Sequence, residues 1–219
     1  MIKIVQCWDD GVTEDARLAD ILRKHGAKAT FNINPGLYKK EERCFGWKNG
    51  AQEILRLSLN ELPELYRGFD VAGHSMTHPH LETLSAEKIR WELVECRRVI
   101  EELFKRPVRG FAYPFGSWNE LVKEELRKAG YVYARTTKNV SAVFPPEDPM
   151  EFHPSCHFLS PKFMDEFERV KKEGGVFYFW GHSYEMREEH MWVDFERKIE
   201  YLSSAPEAQW CNIIDLFEA

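Results

Sequence analysis

Ile2-Lys3-Ile4-Val5-Gln6-Cys7-Trp8 runs straight into Asp9-Asp10-Gly11, a β-rich stretch that stops at two adjacent carboxylates and a turn residue. Behind it Ala16, Ala19 and Leu22 recur at helical spacing, with Thr13 as a candidate cap and Gly26 just past the end, where a glycine commonly closes a helix. Ala27 to Ile33 is β-rich again and ends at Asn34-Pro35-Gly36, a turn. Strand, helix, strand in direct succession is the opening of a parallel α/β sheet.

The same alternation continues outward from this unit. Residues 36 to 57 carry no clear period and read as a loop or short elements over one end of the fold. Ser58-x-x-Glu61 is a capping box before a short helix. Phe69 to Gly73 reads as the third strand. Ser85 opens the longest helix, in which Ile89, Leu93, Cys96, Ile100 and Leu103 form one apolar stripe that ends before Pro107. Val108 to Tyr113 is the fourth strand, residues 118 to 129 a helix, and Tyr131 to Thr137 the fifth strand. A Pro-rich loop spans 138 to 150, Glu151 to Phe158 is extended, and a helix follows to Lys172. Val176 to Trp180 is a nearly continuous apolar run, consistent with a strand buried on both faces. A helix near 190 to 203 and a strand at Trp210 to Ile214 close the chain. Seven or eight such units predict an α/β fold, a distorted parallel (β/α) barrel with about seven strands, in one domain over residues 1–219. Active sites of such barrels lie at the C-terminal ends of the strands. Asp9-Asp10, His74, His78, Pro114-Phe115 and His182 all fall there.

Bulk properties narrow the function. The chain of 219 residues is 43% hydrophobic and 30% charged, with a net charge of −6. No basic excess exists to neutralise phosphates, which argues against nucleic-acid binding. Arg97, Arg98, Lys105 and Arg106 are diluted by Glu101 and Glu102 and read as the solvated side of a helix. Five cysteines, an odd number with no C-x-x-C pair, argue against a disulfide framework or a zinc knuckle. The chain reaches candidate chemistry by Trp8, leaving no room for a signal peptide. No apolar run approaches the roughly 18 residues of a membrane span. The expectation is a cytoplasmic protein without a membrane span.

His74-Ser75-Met76-Thr77-His78 is an H-x-x-x-H pair, and on a helical turn residues four apart share a face. Two histidines alone are a weak signal. Asp10 strengthens it, because adjacent carboxylates beside a glycine turn are poor for stability unless a cation lies between them and the histidines. Two histidines and one carboxylate leave open positions, the arrangement of a catalytic rather than a structural ion.

Trp8-Asp9-Asp10-Gly11, Gly73-His74-Ser75-x-x-His78, Tyr113-Pro114-Phe115-Gly116 and Gly181-His182 resemble, in this order, the motifs of the polysaccharide deacetylases, carbohydrate esterase family 4. The resemblance covers residues 7 to 182. It implies a divalent ion held by Asp10, His74 and His78, with Asp9 as base and His182 as general acid. It also implies that Phe115, flanked by Tyr113 and Pro114, donates its backbone N–H to the oxyanion. Zinc suits histidine and carboxylate ligands; cobalt, nickel and manganese are alternatives. The implied activity is removal of an acetyl group from an N-acetylated sugar or a related glycan precursor.

Competing readings stand beside these. Asp9 caps the next helix in one, His182 is a core histidine in another, and Glu185 either touches substrate or caps a turn. Trp8, Trp47, Trp118 and Trp180 offer a sugar a stacking surface or belong to the core. His153 and His157 are again four apart, but Pro154 argues against a shared helical face. The family's third motif carries an arginine two residues before the proline, and here that position is Ala112. Arg135 and Arg109 are the candidates to replace it; strand alternation sends Arg109 to the face opposite Ala112, and Arg135 is favoured. The family's fourth motif, an aspartate with a tryptophan, is not recognisable. These departures admit a formamide or another non-sugar amide as substrate, and a non-catalytic sugar-binding relative as a third reading.

Overall fold

The computed structural model describes residues 1–218. In chain order the elements begin with β1 (Ile2–Asp9), α1 (Asp15–Lys24), β2 (Thr30–Ile33), β3 (Cys44–Asn49), β4 (Gln52–Arg56), α2 (Leu62–Leu65) and β5 (Asp70–Gly73). They continue with α3 (Ala86–Phe104), β6 (Gly110–Ala112), α4 (Glu120–Lys128), β7 (Tyr133–Arg135) and β8 (Cys156–His157). The last are α5 (Phe163–Glu173), β9 (Val176–Gly181), α6 (Glu189–Ser204) and β10 (Ala208–Trp210).

Eight strands form one parallel sheet in the order β7-β6-β5-β2-β1-β9-β8, with β10 also pairing β1. The sheet curls. Phe152, just ahead of β8, bridges Arg135 of β7, so the two edges approach each other and the sheet is the wall of a distorted barrel. Among the described residues, no helix is long and apolar enough to cross a membrane.

Period-two alternation divides each strand between two environments. Ile4 and Trp8 of β1, Phe31 and Ile33 of β2, Phe111 of β6, Ala134 of β7, and Phe177 and Phe179 of β9 pack under the helices in the larger core. Val5 and Cys7 of β1, Tyr133 of β7 and Tyr178 of β9 belong to a second apolar cluster inside the curl. The helices cover the sheet by the stripes legible in the sequence. Ile89, Leu93, Cys96 and Ile100 of α3 are buried, and Ser85 caps that helix by accepting the Lys88 N–H. Glu61 takes both the backbone N–H and the hydroxyl of Ser58 at 2.8 Å ahead of α2.

Three local expectations fail for identifiable reasons, and a fourth is resolved between its alternatives. Within residues 36–57 the chain forms short elements rather than a loop alone, an antiparallel hairpin, β3–β4, turning at Gly50 in the left-handed region. Burial alternates along β4, but the inward positions Gln52, Ile54 and Arg56 mix polar, apolar and charged side chains while Phe45 and Leu55 face solvent, so hydrophobicity does not follow burial; Asn49-Gly50 was the available signal. The last strand ends at Trp210, because the Asp215 carboxylate takes the Asn212 N–H at 2.9 Å and turns the chain. Thr13 does not cap α1; its hydroxyl goes to Glu14. The His74–His78 segment is no helical turn. Ser75 and His78 both sit at positive φ (62° and 59°), and Glu92 of α3 holds the loop from outside by accepting the Thr77 N–H at 2.8 Å.

Candidate active site

Strand parity places the chemistry. Asp9 follows Val5 and Cys7 on the inner face of β1, Arg135 follows Tyr133 on β7, and Trp180 and His182 follow Tyr178 on β9. All lie at C-terminal strand ends. There they line a cavity of about 540 Å³ together with Asp10, His74, His78, Tyr113 and Phe115. Pro114 is buried behind this wall.

Asp9 is the most constrained of these groups. Its Oδ1 accepts from Asn32 Nδ2 at 2.7 Å, and its Oδ2 accepts from Arg135 Nη2. Burial alone would raise its pKa. The Arg135 guanidinium, with smaller help from His74, His182 and Asn32, holds the carboxyl well below the usual carboxylate range. Arg135 stands directly across from Ala112 in the β6–β7 register, so it enters the site one strand away from Ala112. Arg109 is elsewhere, paired with Glu218 at 2.5 Å. Asn32, which no motif marks, is an amide between Phe31 and Ile33 on a wholly buried strand.

Asp10, His74 and His78 each present a ligand atom within 4.8 Å of the others. His74 Nδ1 bonds the Ala112 carbonyl at 2.8 Å, which makes it the protonated nitrogen and leaves Nε2 free. Burial pushes both rings toward the neutral form that ligates, and with His74 beside it His78 falls to about 4. Asp10 is held by its backbone in the left-handed region, with its carbonyl accepting from the Tyr38 hydroxyl at 2.8 Å. A buried set of two neutral imidazoles and one carboxylate, with the second imidazole nitrogen of His74 fixed, fits a divalent ion with open positions.

His182 Nε2 lies 3.7 Å from Asp9 Oδ2 and 4.0 Å from Asp10 Oδ2. On its other side, Glu185 Oε2 accepts from the His182 backbone at 3.0 Å and meets its Nδ1 at 3.2 Å. The same oxygen lies 3.0 Å from His157 Nε2. Burial opposes a charge on His182, yet Glu185, Asp9 and Asp10 together raise its pKa above the usual value. Burial likewise opposes charge on Glu185, but the two rings bring it down to about 2. Glu185 therefore caps the turn after β9 and grips His182 at once, and it does not line the cavity. His157, His182 and Glu185 are close enough to hold an ion, and their mutual hydrogen bonds already account for that closeness. His153 does not join them; it bonds Thr136 Oγ1 at 2.6 Å.

Phe115 sits at φ 56°, and among the described residues its N–H has no acceptor in the chain. Its ring is exposed and stacks on His80. Gly116 behind it permits this bend, because a Cβ there would fall 1.9 Å from Thr137 Oγ1. Of the four candidate stacking tryptophans, Trp47 and Trp180 line the cavity, whereas Trp8 is wholly buried and Trp118 stacks on Tyr113. Trp47 comes from the hairpin, which closes one side of the cavity through a Trp47–Tyr184 edge contact and an Arg187–Asn49 bond of 2.6 Å. Arg56 and Tyr184 complete this wall, and no sequence motif pointed to either.

Asp15 lies beneath the His182 turn, fully buried, accepting from Ser183 Oγ and Tyr66 OH, both at 2.5 Å. Burial pushes its carboxyl up to about 7, against the pull of those two hydroxyls. The unfolded value is about 3.9. Between the two the native state holds a proton that the unfolded chain releases. This contribution is complete below about pH 4 and is lost as the pH rises through 7, at up to about 1.4 kcal/mol per pH unit. Asp15→Asn is expected to flatten that fall. Urea midpoints at pH 4.5 and 7.5 measure it, and parallel behaviour of variant and wild type refutes it.

The family model described as polysaccharide deacetylase matches residues 2–134. A chitooligosaccharide deacetylase of Sinorhizobium fredii (strain NBRC 101917 / NGR234) is 28% identical over 126 residues, 56% of this chain and 51% of that protein. Matched stretches cover between 35% and 51% of such curated relatives. Among solved structures, the Xyl-CE4 domain of a multidomain xylanase from the hindgut metagenome of Trinervitermes trinervoides aligns with a TM-score of 0.64 at 17% identity. That alignment covers 99% of this chain and 90% of that one. BA3943 from Bacillus anthracis, described as a CE4 family pseudoenzyme, aligns with a TM-score of 0.56 at 18% identity, covering 98% and 64%. These two likenesses bear on the fold.

Proposed function

The chain belongs to the polysaccharide deacetylase family, and from that premise we propose that it is a metal-dependent hydrolase that removes the acetyl group from an N-acetylated sugar. One observation carries the reading. The donor atoms of Asp10, His74 and His78 converge within 4.8 Å, and beside them Asp9 is ion-paired and His182 lies 3.7 Å from it.

Asp10, His74 and His78 would hold the ion, zinc first by donor chemistry. When bound, a divalent ion acidifies water and polarises a carbonyl oxygen. The protein's own groups do the rest. Asp9, kept ionised by Arg135 and Asn32, takes the proton of the attacking water. Arg135 performs from β7 the orienting task that the family gives to an arginine at the position of Ala112. The Phe115 N–H donates to the oxygen on which charge develops. His182 gives its proton to the departing amine, with Glu185 holding the ring by Nδ1 and the backbone so that Nε2 faces the cavity. Trp47 and Trp180 offer the sugar ring a stacking surface. The pair Asp9 and His182 argues against a purely sugar-binding role, since a binder needs neither base nor acid.

The test is acetate release from a panel of acetamido sugars and their oligomers, together with metal content, before and after chelation. We expect about one divalent ion per chain and chelator-sensitive release. An ion without acetate release moves the reading to formamides and other amides; a protein that binds no ion overturns it.

A further inference from the structure

Arg56 is an unexplained charge. It ends β4, its side chain is buried, and it lines the cavity. Its one hydrogen bond within the described residues runs from Nη1 to the Asp10 carbonyl at 3.0 Å. That carbonyl already accepts from the Tyr38 hydroxyl, so it does not require a cation. Among the described residues no carboxylate lies within ion-pair distance of Arg56, and Asp9 is taken by Arg135. The guanidinium instead lies 4.8 Å from the Trp47 ring and 5.7 Å from the Tyr38 ring. Aromatic faces offset part of the lost hydration of a cation but leave its donors unused. A guanidinium has five N–H donors in a planar fork suited to carboxylate or phosphate, and four of these find no partner among the described residues.

From this geometry we propose that Arg56 is the anion-recognition residue of the cavity, and that the substrate is an acetamido sugar bearing a phosphate or carboxylate. The proposal rests on the deacetylase reading and narrows its substrate class. It also locates the charge. Because Arg56 is bonded to the backbone of Asp10, the anion belongs to the same sugar unit as the amide to be cleaved, not to a distant unit of a polymer. A largely buried guanidinium with open donors at the cavity wall gains when a matching anion arrives, since charge-assisted bonds are stronger than neutral ones.

The experiment reads binding without catalysis. Chelator-treated protein is titrated calorimetrically at low salt with N-acetylglucosamine, N-acetylglucosamine 1-phosphate and 2-acetamido-2-deoxyglucuronic acid. We expect one or both anionic sugars to bind about 10- to 100-fold more tightly than the neutral one, the range for hydrogen bonds to a charged group. The larger preference identifies phosphate or carboxylate. In Arg56→Gln that ratio is expected to fall to about one, and in Arg56→Lys to be partly retained because the charge stays but the fork is lost. Ratios cancel any general loss of binding, and circular dichroism confirms that each variant folds. Equal affinities in the wild type, or an undiminished ratio in Arg56→Gln, overturn the proposal. Failure of acetate release on every sugar overturns the deacetylase reading instead, and the two failures are read in separate assays.

Discussion

Asp9→Asn is expected to lower kcat for acetate release by about 10²- to 10⁴-fold, the span over which a positioned base contributes, while the ion stays bound. The proposed ligand donors are Asp10, His74 and His78, and none of them is altered. Asparagine keeps the size of the side chain and its bond to Asn32, but it cannot accept a proton. Arg135 holds Asp9 far below the usual carboxylate range, which keeps it ionised and also makes it a weak base. Such a base is competent only toward water whose acidity has been raised. Loss of the base and loss of the ion should therefore not add: after chelation, Asp9→Asn and wild type are expected to be equally slow. Metal content by mass spectrometry is the control. If the variant loses the ion together with its activity, Asp9 is a ligand; if it retains wild-type kcat, the base lies elsewhere.

The strands and helices were legible because each shows one period along a buried face. The α3 stripe from Ile89 to Ile100 is an example, and β9 was legible instead as a short apolar run buried on both faces. The hairpin was not, because its inward positions Gln52, Ile54 and Arg56 mix polar, apolar and charged side chains while Phe45 and Leu55 face solvent, so no hydrophobic period follows its burial. The site divides in the same way. Asp9, Asp10, His74, His78 and His182 sit at strand ends in ordered motifs, so local sequence announces them. Arg56 and Tyr184 reach the cavity from β4 and from the turn after β9, and Asn32 holds Asp9 from β2; their meeting depends on the curl of the sheet and the docking of the hairpin. Arg135 is an intermediate case. Its strand was readable, but that it lies opposite Ala112 is a matter of register between β6 and β7. The His74–His78 loop shows that a correct spacing can rest on the wrong conformation: two left-handed residues, not a helical turn, bring the rings to 4.8 Å between centroids.

Arg135→Met is expected to destabilise the chelated protein by about 3–5 kcal/mol, the cost of leaving one member of a buried ion pair without its partner. Asp9 would keep only its bond from Asn32 while its side chain stays buried. Combining the two changes, Asp9→Asn with Arg135→Met, should recover most of the loss, since replacing both members of a buried pair is often neutral or favourable. The geometry of the arginine strengthens that expectation. Its Nε and Nη1 are buried without hydrogen-bond partners, and its guanidinium is stacked over the Trp180 ring at 4.8 Å. An arginine so poorly satisfied is a costly way to fill space, and methionine covers the same ring without stranding donors. Urea unfolding of the wild type, the two single variants and the double variant, all without metal, gives the coupling energy directly. A double variant as stable as the wild type but without hydrolytic activity means that the pair is kept for the ionisation and aim of Asp9. A double variant as unstable as Arg135→Met means that the pair is uncoupled, and that Arg135 serves as packing against Trp180.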